Sequence, residues 1–332
     1  MSKLFGNGRA AALGFFLAAA AAGSALAGGF QPKTVIDDPA WVLHMDADAL
    51  RQSFVGKRIL EKLDQPESAK GFVFINAMLT FDPRKSLHGL TLYSATTSPA
   101  DGVALVYADF DAARLISLAE SASDHQVVTN KGRAIHNWAN EKGDAPRTFA
   151  AIYDGKVAVF AQKEKLVITA LDVLAGDQPG FKDNGYFPKA EPAGASPILF
   201  AVAHKLDVPG TEPHAVIFKQ AKHLSMAIAA TDAELVGKLS LTTDNEDSAQ
   251  QVALIAQGLL ALLSLSKDNP DAAAFTRALK VKQDGANVEV RLKAAKSDVM
   301  EIVNGLMDKG HKDGQGDEDK GKRKDKEKSD KN

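Results

Sequence analysis

Apolar and polar positions along the chain repeat with two periods, and stretches of each kind follow one another in a regular order. The clearest is "ALKVKQDGANVEVRLKA", residues 278–294, which alternates at every second position. Leu279, Val281, Val288, Val290 and Leu292 fall on one side and Lys280, Lys282, Glu289, Arg291 and Lys293 on the other, the signature of two strands with one buried face. Asp284-Gly285 supplies the turn between them. Earlier strand patterns are "AWVLHMDA", "LHGLTLYS" and "GVALVYADF"; "HQVVT" and "AIHNWA" flank "NKG", and "TFAAIY" and "KVAVFA" flank Asp154-Gly155. Further along, "SPILFAVAH", "HLSMAIAAT" and "ELVGKLSLTT" read the same way.

Between these runs the period lengthens to that of a helix. "DALRQSFVGKRILEKL", "ESAKGFVFINAMLT" and "DAARLISLAESA" are helical patterns, the last with Leu115, Leu118 and Ala119 on one face and Asp111 placed to cap it. A helix from about Lys163 to Leu174 stops at Gly176, and another begins at Ser297 as cap and runs to Met307. Ordered along the chain, the elements describe an α+β fold of two related modules, each an antiparallel sheet with helices packed on one face. The first spans residues 36–176 and the second 197–308, joined by the Gly- and Pro-rich segment 177–196. The similarity is an internal duplication of element order, with one extra hairpin in the first module.

The stretch "LTTDNEDSAQQVALIAQ" crowds acidic side chains ahead of an apolar run. Thr243 and Glu246 have capping-box spacing, and Asp244 and Asp247 add negative charge to a first turn, where the helix dipole favours it. A calcium loop starting at Asp244 would need glycine at the sixth position and glutamate at the twelfth, where Ala249 and Ile255 stand. The acids therefore start a helix. Its stripe of Ala249, Val252, Ala253, Ala256, Leu259, Leu260 and Leu263 is flanked by Leu254, Ile255, Leu262 and Leu265, so it is apolar nearly all round. Such a helix is expected to lie between a sheet and a second layer or partner, and exposure of the Leu254 and Leu262 side would point to a partner.

The two ends differ from the body. Lys3 and Arg9, the apolar run from Ala10 to Ala22, and Ala25-Leu26-Ala27 form the three parts of a signal peptide over residues 1–27. Export to the periplasm or extracellular space is expected, with no transmembrane span after cleavage. The chain contains no cysteine, so packing must hold it together, and thiol chemistry and Cys-ligated zinc are excluded. Residues 309–332 carry no apolar side chain and are expected to be a disordered charged tail, whose basic end could weakly touch an anionic surface. The formal net charge of −2 hides a body that is more acidic than its ends, a poor partner for nucleic acid.

Candidate chemistry is sparse. His44, Asp46 and Asp48 in "LHMDAD" are spaced by two, so a strand would aim all three at one cation; the alternative is that Asp46 or Asp48 caps the helix that follows. His136 and His204 sit in strand patterns as structural imidazoles. No HExxH, GxSxG, GxxxxGK[ST] or GxGxxG pattern is present. The scattered aromatics read as core and offer no stacking platform.

"FDPRKSLHGLTLYS", "GVALVYADFDAARLISLAE", "GRAIHNWAN" and "FAAIYDGKVAVFAQKEKLVITALDVLAG" together resemble uncharacterised exported bacterial proteins of the family called domain of unknown function 3352. The resemblance covers most of residues 40–176 and implies an exported α+β protein, with no catalytic residues or cofactor to carry over. The resulting expectation is an exported noncatalytic binding or envelope-associated protein meeting an unknown protein, peptide or apolar ligand. The alternative is a hydrolase with its site at the junction of the modules.

Overall fold

The computed structural model describes residues 29–65, 82–122, 124–139, 146–182, 197–204, 217, 219–265 and 276–305. The leader 1–27, the helical pattern at 67–80, most of the 177–196 segment and the tail 309–332 lie outside them. The first strands are β1 (Trp41–Asp46), β2 (Leu87–Ser94), β3 (Val103–Ala108), β4 (Gln126–Asn130), β5 (Arg133–Trp138), β6 (Thr148–Tyr153) and β7 (Val157–Ala161). The rest are β8 (Pro197–Ala203), β9 (Ala221–Ala230), β10 (Glu234–Thr243), β11 (Leu279–Asp284) and β12 (Asn287–Ala295). The helices are α1 (Ala47–Gln52), α2 (Phe54–Leu63), α3 (Pro83–Ser86), α4 (Ala112–Glu120), α5 (Glu164–Ala175), α6 (Glu246–Ser264) and α7 (residues 296–305).

Among the described residues twelve strands join one sheet in the order β11-β12-β10-β9-β8-β1-β2-β3-β7-β6-β5-β4, and each neighbouring pair is antiparallel. The sheet is continuous across the expected module boundary, because β1 pairs with β8, Val42 opposite Val202. Tight turns set the hairpins. Lys131-Gly132 and Asp154-Gly155 have positive φ at both positions, the requirement of a type I′ turn whose twist suits the flanking strands.

Residues opposite one another in an antiparallel ladder share a face, which assigns the layers. Val42, Tyr93, Val103 and Ala161 are in register and pack with Val167, Ala170 and Leu171 of α5. Met45, Leu90, Val106 and Leu199, out of step with these, pack with Ala47 and Leu50 of α1 on the opposite face. That second face also carries Leu241 and Val288 under Ala249, Val252 and Ala253 of α6. Helices thus lie on both faces of the sheet, a correction to the one-face expectation. In the first half the strands bury apolar residues at both parities, which alternation in β11 and β12 does not foreshadow.

Helix ends follow the sequence with two shifts. Asp111 accepts from Arg114 N–H at 3.1 Å, and α5 stops at Gly176 with φ 78°. The cap of α6 is Asn245, whose side chain accepts from Ser248 N–H at 2.9 Å, not Thr243. Thr243 is buried and still belongs to β10, its N–H donating to Ala286 O at 2.9 Å and its hydroxyl to Asn245 O at 2.8 Å. Glu246 and Asp247 do occupy the first turn, where the dipole favours acids. Ser297 lies inside α7, which begins two residues earlier than a Ser297 cap allows. Phe181, at the start of the Gly- and Pro-rich segment, is buried in the first core and donates its N–H to Val35 O at 2.8 Å.

Candidate functional site

The strand β1 runs straight into α1, and this junction decides the fate of His44, Asp46 and Asp48. His44 is buried, with Nδ1 2.9 Å from Thr91 Oγ1 and its ring beside the contacting pair Phe30 and Phe200, at centroid distances of 5.5 and 5.3 Å. Asp46 caps α1 and accepts from Ala49 N–H at 2.8 Å; burial pushes its carboxyl above the ordinary value, partly offset by that bond. Asp48 turns to Arg51 Nη1 at 2.6 Å and to His88 Nδ1 at 3.1 Å. The structure does not bring the three together, and among the described residues no group of three His or acidic side chains is placed to hold a metal ion.

A different cluster forms instead. A register shift between Leu87 and Gly89 in β2 turns His88 inward, where it is fully buried. Its Nδ1 faces Asp48 and its Nε2 lies 3.1 Å from Asp109 Oδ2 at the end of β3. Arg51 also donates to Leu87 O at 2.7 Å, so α1, β2 and β3 are tied together by one polar network. Sequence reasoning missed it, because Asp48, His88 and Asp109 have no common local spacing and a bulge is needed to aim His88. Both ring nitrogens are occupied by carboxylates, leaving none to activate a nucleophile.

His125 and His136 form a second imidazole contact, Nε2 to Nδ1 at 3.0 Å with stacked rings. Burial, then the neighbouring His125, holds His136 below its ordinary value of 6.5. A depressed histidine disfavours the proton in the folded state, so its contribution is intact above the unfolded value and is lost as pH falls through the folded one. Urea unfolding at stepped pH is expected to show stability falling below about pH 6.5. In His136→Gln that slope should flatten; an unchanged slope would assign the acid sensitivity elsewhere.

A cavity of about 480 Å³ opens at the C-terminal end of α5, lined among others by Lys33, Tyr107, Tyr153, Lys156, Leu174 and Gln178. Tyr107, its hydroxyl raised by burial, lies 2.9 Å from Thr34 Oγ1. Asp154 is the carboxylate among the lining residues. This is a mixed polar pocket without clustered acids or histidines among the described residues.

The strongest departure from an ordinary surface is on α6. Its first turns are buried through Ala249, Val252 and Ala253, but Leu254, Leu262 and Leu265 are 60%, 68% and 75% exposed, and Leu263 is exposed as well. No charged residue interrupts positions 248–266. Among the described residues no helix is long and apolar enough to cross a membrane.

No family model and no curated protein matches the chain. Among solved structures, crystal form I of TP0453 aligns over 84% of this chain and 98% of its own at 10% identity, with a TM-score of 0.44. Crystal form III aligns over 83% and 98% at 8% identity, with a TM-score of 0.46. At these identities no residue role passes from that protein to this one.

Proposed function

We propose that the chain is an exported, noncatalytic binding protein that docks an apolar protein or peptide surface through the C-terminal half of α6. The exposed leucines carry this reading. Fully burying a leucine is worth about 1.5–3 kcal/mol, so three of them on one uncharged helix end form a costly surface unless a partner covers it.

Topology explains where the surplus arises. The order β8-β9-β10-β12-β11 runs as β1-β2-β3-β7-β6 does, and each set sends a helix out after its third strand. That correspondence supports two related modules, the first extended by β5 and β4. In these equivalent places α4 has 9 residues and α6 has 19. Exposed Leu262 and Leu263 lie in the length α6 adds, and Leu254 is the residue at which that length begins. The leader pattern at 1–27 supports export, and the resemblance to domain of unknown function 3352 supports an envelope setting.

The test compares wild type with Leu254→Glu/Leu262→Glu after expression in the native envelope. Circular dichroism should show the fold unchanged, since both positions already face solvent. The wild type is expected to copurify with a partner, and the double variant to lose it at least ten-fold, about 1.4 kcal/mol. Equal recovery of the same partner by both proteins would overturn the reading.

A further inference from the structure

One side of the cavity at the end of α5 is a row across the sheet: Tyr107 of β3 opposite Val157 of β7, and Val157 opposite Tyr153 of β6, on the face that carries α5. Val173 and Leu174 of α5, the strap of residues 29–34 ahead of β1, and residues 178–180 complete it. The irregular walls are pinned by backbone contacts. Gly180 lies so close to the strap that a Cβ there would collide with Lys33 O, and Phe181 N–H donates to Val35 O at 2.8 Å. The N–H groups of Asp177 and Gln178 both reach Asp172 O, at 2.8 and 3.2 Å. The cavity is therefore preformed, and its volume of about 480 Å³ is that of a small-molecule site. Its charges are unmatched. Lys131 and Arg133, at the same end of α5, pair with Asp172 and Asp177. Lys33, Asp154 and Lys156 line the cavity yet, among the described residues, make no ion pair and no side-chain hydrogen bond. The lysines do not serve the helix end either: Leu174 O and Ala175 O, two of the last four carbonyls of α5, are left without a donor among the described residues. All three charged residues are exposed, at the rim, whereas Val157 and Val173 are buried.

We propose that this cavity binds a small zwitterion with an apolar side chain, a free α-amino acid or a dipeptide. The carboxylate of the ligand meets Lys33 and Lys156. Its ammonium meets Asp154 and the uncapped carbonyls of α5, where the helix dipole is negative, and its side chain lies along Tyr107, Val157 and Tyr153. A simple anion would leave Asp154 and the helix end unmatched beside it, and a simple cation would sit against two ammonium groups. Only a molecule carrying both signs complements the whole set. The cavity is on the face of the sheet opposite α6, so this site stands or falls independently of the docking role.

The test is isothermal titration of the exported protein with L-phenylalanine and the dipeptide diphenylalanine, beside 3-phenylpropanoate, which lacks the amine, and phenethylamine, which lacks the carboxylate. Lys156→Gln and Asp154→Asn each remove one charge. Both positions are exposed, and asparagine accepts the positive φ of residue 154, so thermal unfolding should change little. The wild type is expected to bind the amino acid or the dipeptide at least ten-fold more tightly than either analogue, and the rank of those two names the source. Lys156→Gln should weaken the zwitterion at least ten-fold without weakening phenethylamine; Asp154→Asn should weaken it as much without weakening 3-phenylpropanoate. No binding of either zwitterion overturns the proposal, as does an analogue that binds as tightly as the zwitterion. So do variants that bind it as the wild type does, or binding abolished by Leu254→Glu/Leu262→Glu on the opposite face.

Discussion

Replacing His88 with leucine is expected to destabilise the protein by about 2–3 kcal/mol, read as a lower urea midpoint at unchanged slope. Leucine fills similar space, so the loss is electrostatic. Asp48 loses its contact with Nδ1 but keeps Arg51, while Asp109 loses its contact with Nε2 and is left facing an apolar side chain at the core edge. The figure is set below that of a fully buried ion pair because Asp109 is nearly half exposed and water can reach it. Adding Asp109→Asn to the leucine variant should recover part of the loss, since it removes the charge left without its histidine. A leucine variant within about 0.5 kcal/mol of wild type would show that the network contributes little to stability.

Gly56→Ala should be nearly as damaging, against the direction that helix propensity gives. Alanine inside a helix is ordinarily better than glycine by about 1 kcal/mol. Gly56, however, sits in the first turn of α2, where its N–H bonds to Ser53 Oγ at 3.0 Å, and a Cβ there would collide with the backbone carbonyl of Leu50. A backbone atom in the last turn of α1 cannot rotate aside as a side chain would. Either the α1–α2 corner opens or the Met45, Ala47 and Leu50 cluster loosens, at a net cost of about 2 kcal/mol or more. Thermal unfolding of Gly56→Ala beside Gly258→Ala separates the two effects, since Gly258 has open space around its Cβ position. Gly258→Ala should be neutral or stabilising. A stabilised Gly56→Ala would mean that the corner yields without strain.

Turn chemistry and local period made much of the fold readable. Asp154-Gly155 and Asp284-Gly285 mark hairpins because few residues accept positive φ, and Gly176 stops α5 for the same reason. The caps were legible where strand and helix meet cleanly, as at Asp111, and misplaced where the cap lies two residues beyond the strand end, as at Asn245 after Thr243. The metal reading of His44, Asp46 and Asp48 assumed that one strand carries all three. The strand ends at Asp46, which becomes a cap, and Asp48 then belongs to a helix facing His88.

By itself the sequence determined the element types, the hairpin turns, the antiparallel character, and an apolar helix whose start is acidic. These depend on neighbours within a few residues, where dihedral preference and period act directly. Only the tertiary structure decided that β1 and β8 join the two halves into one sheet, that α5 lies on the face opposite α1 and α6, and that the leucines of α6 remain uncovered. It likewise brought Asp48, His88 and Asp109 together across about sixty positions. Such facts turn on which distant surfaces meet, and hydrophobic burial, being non-directional, leaves that choice to the packing of the whole chain.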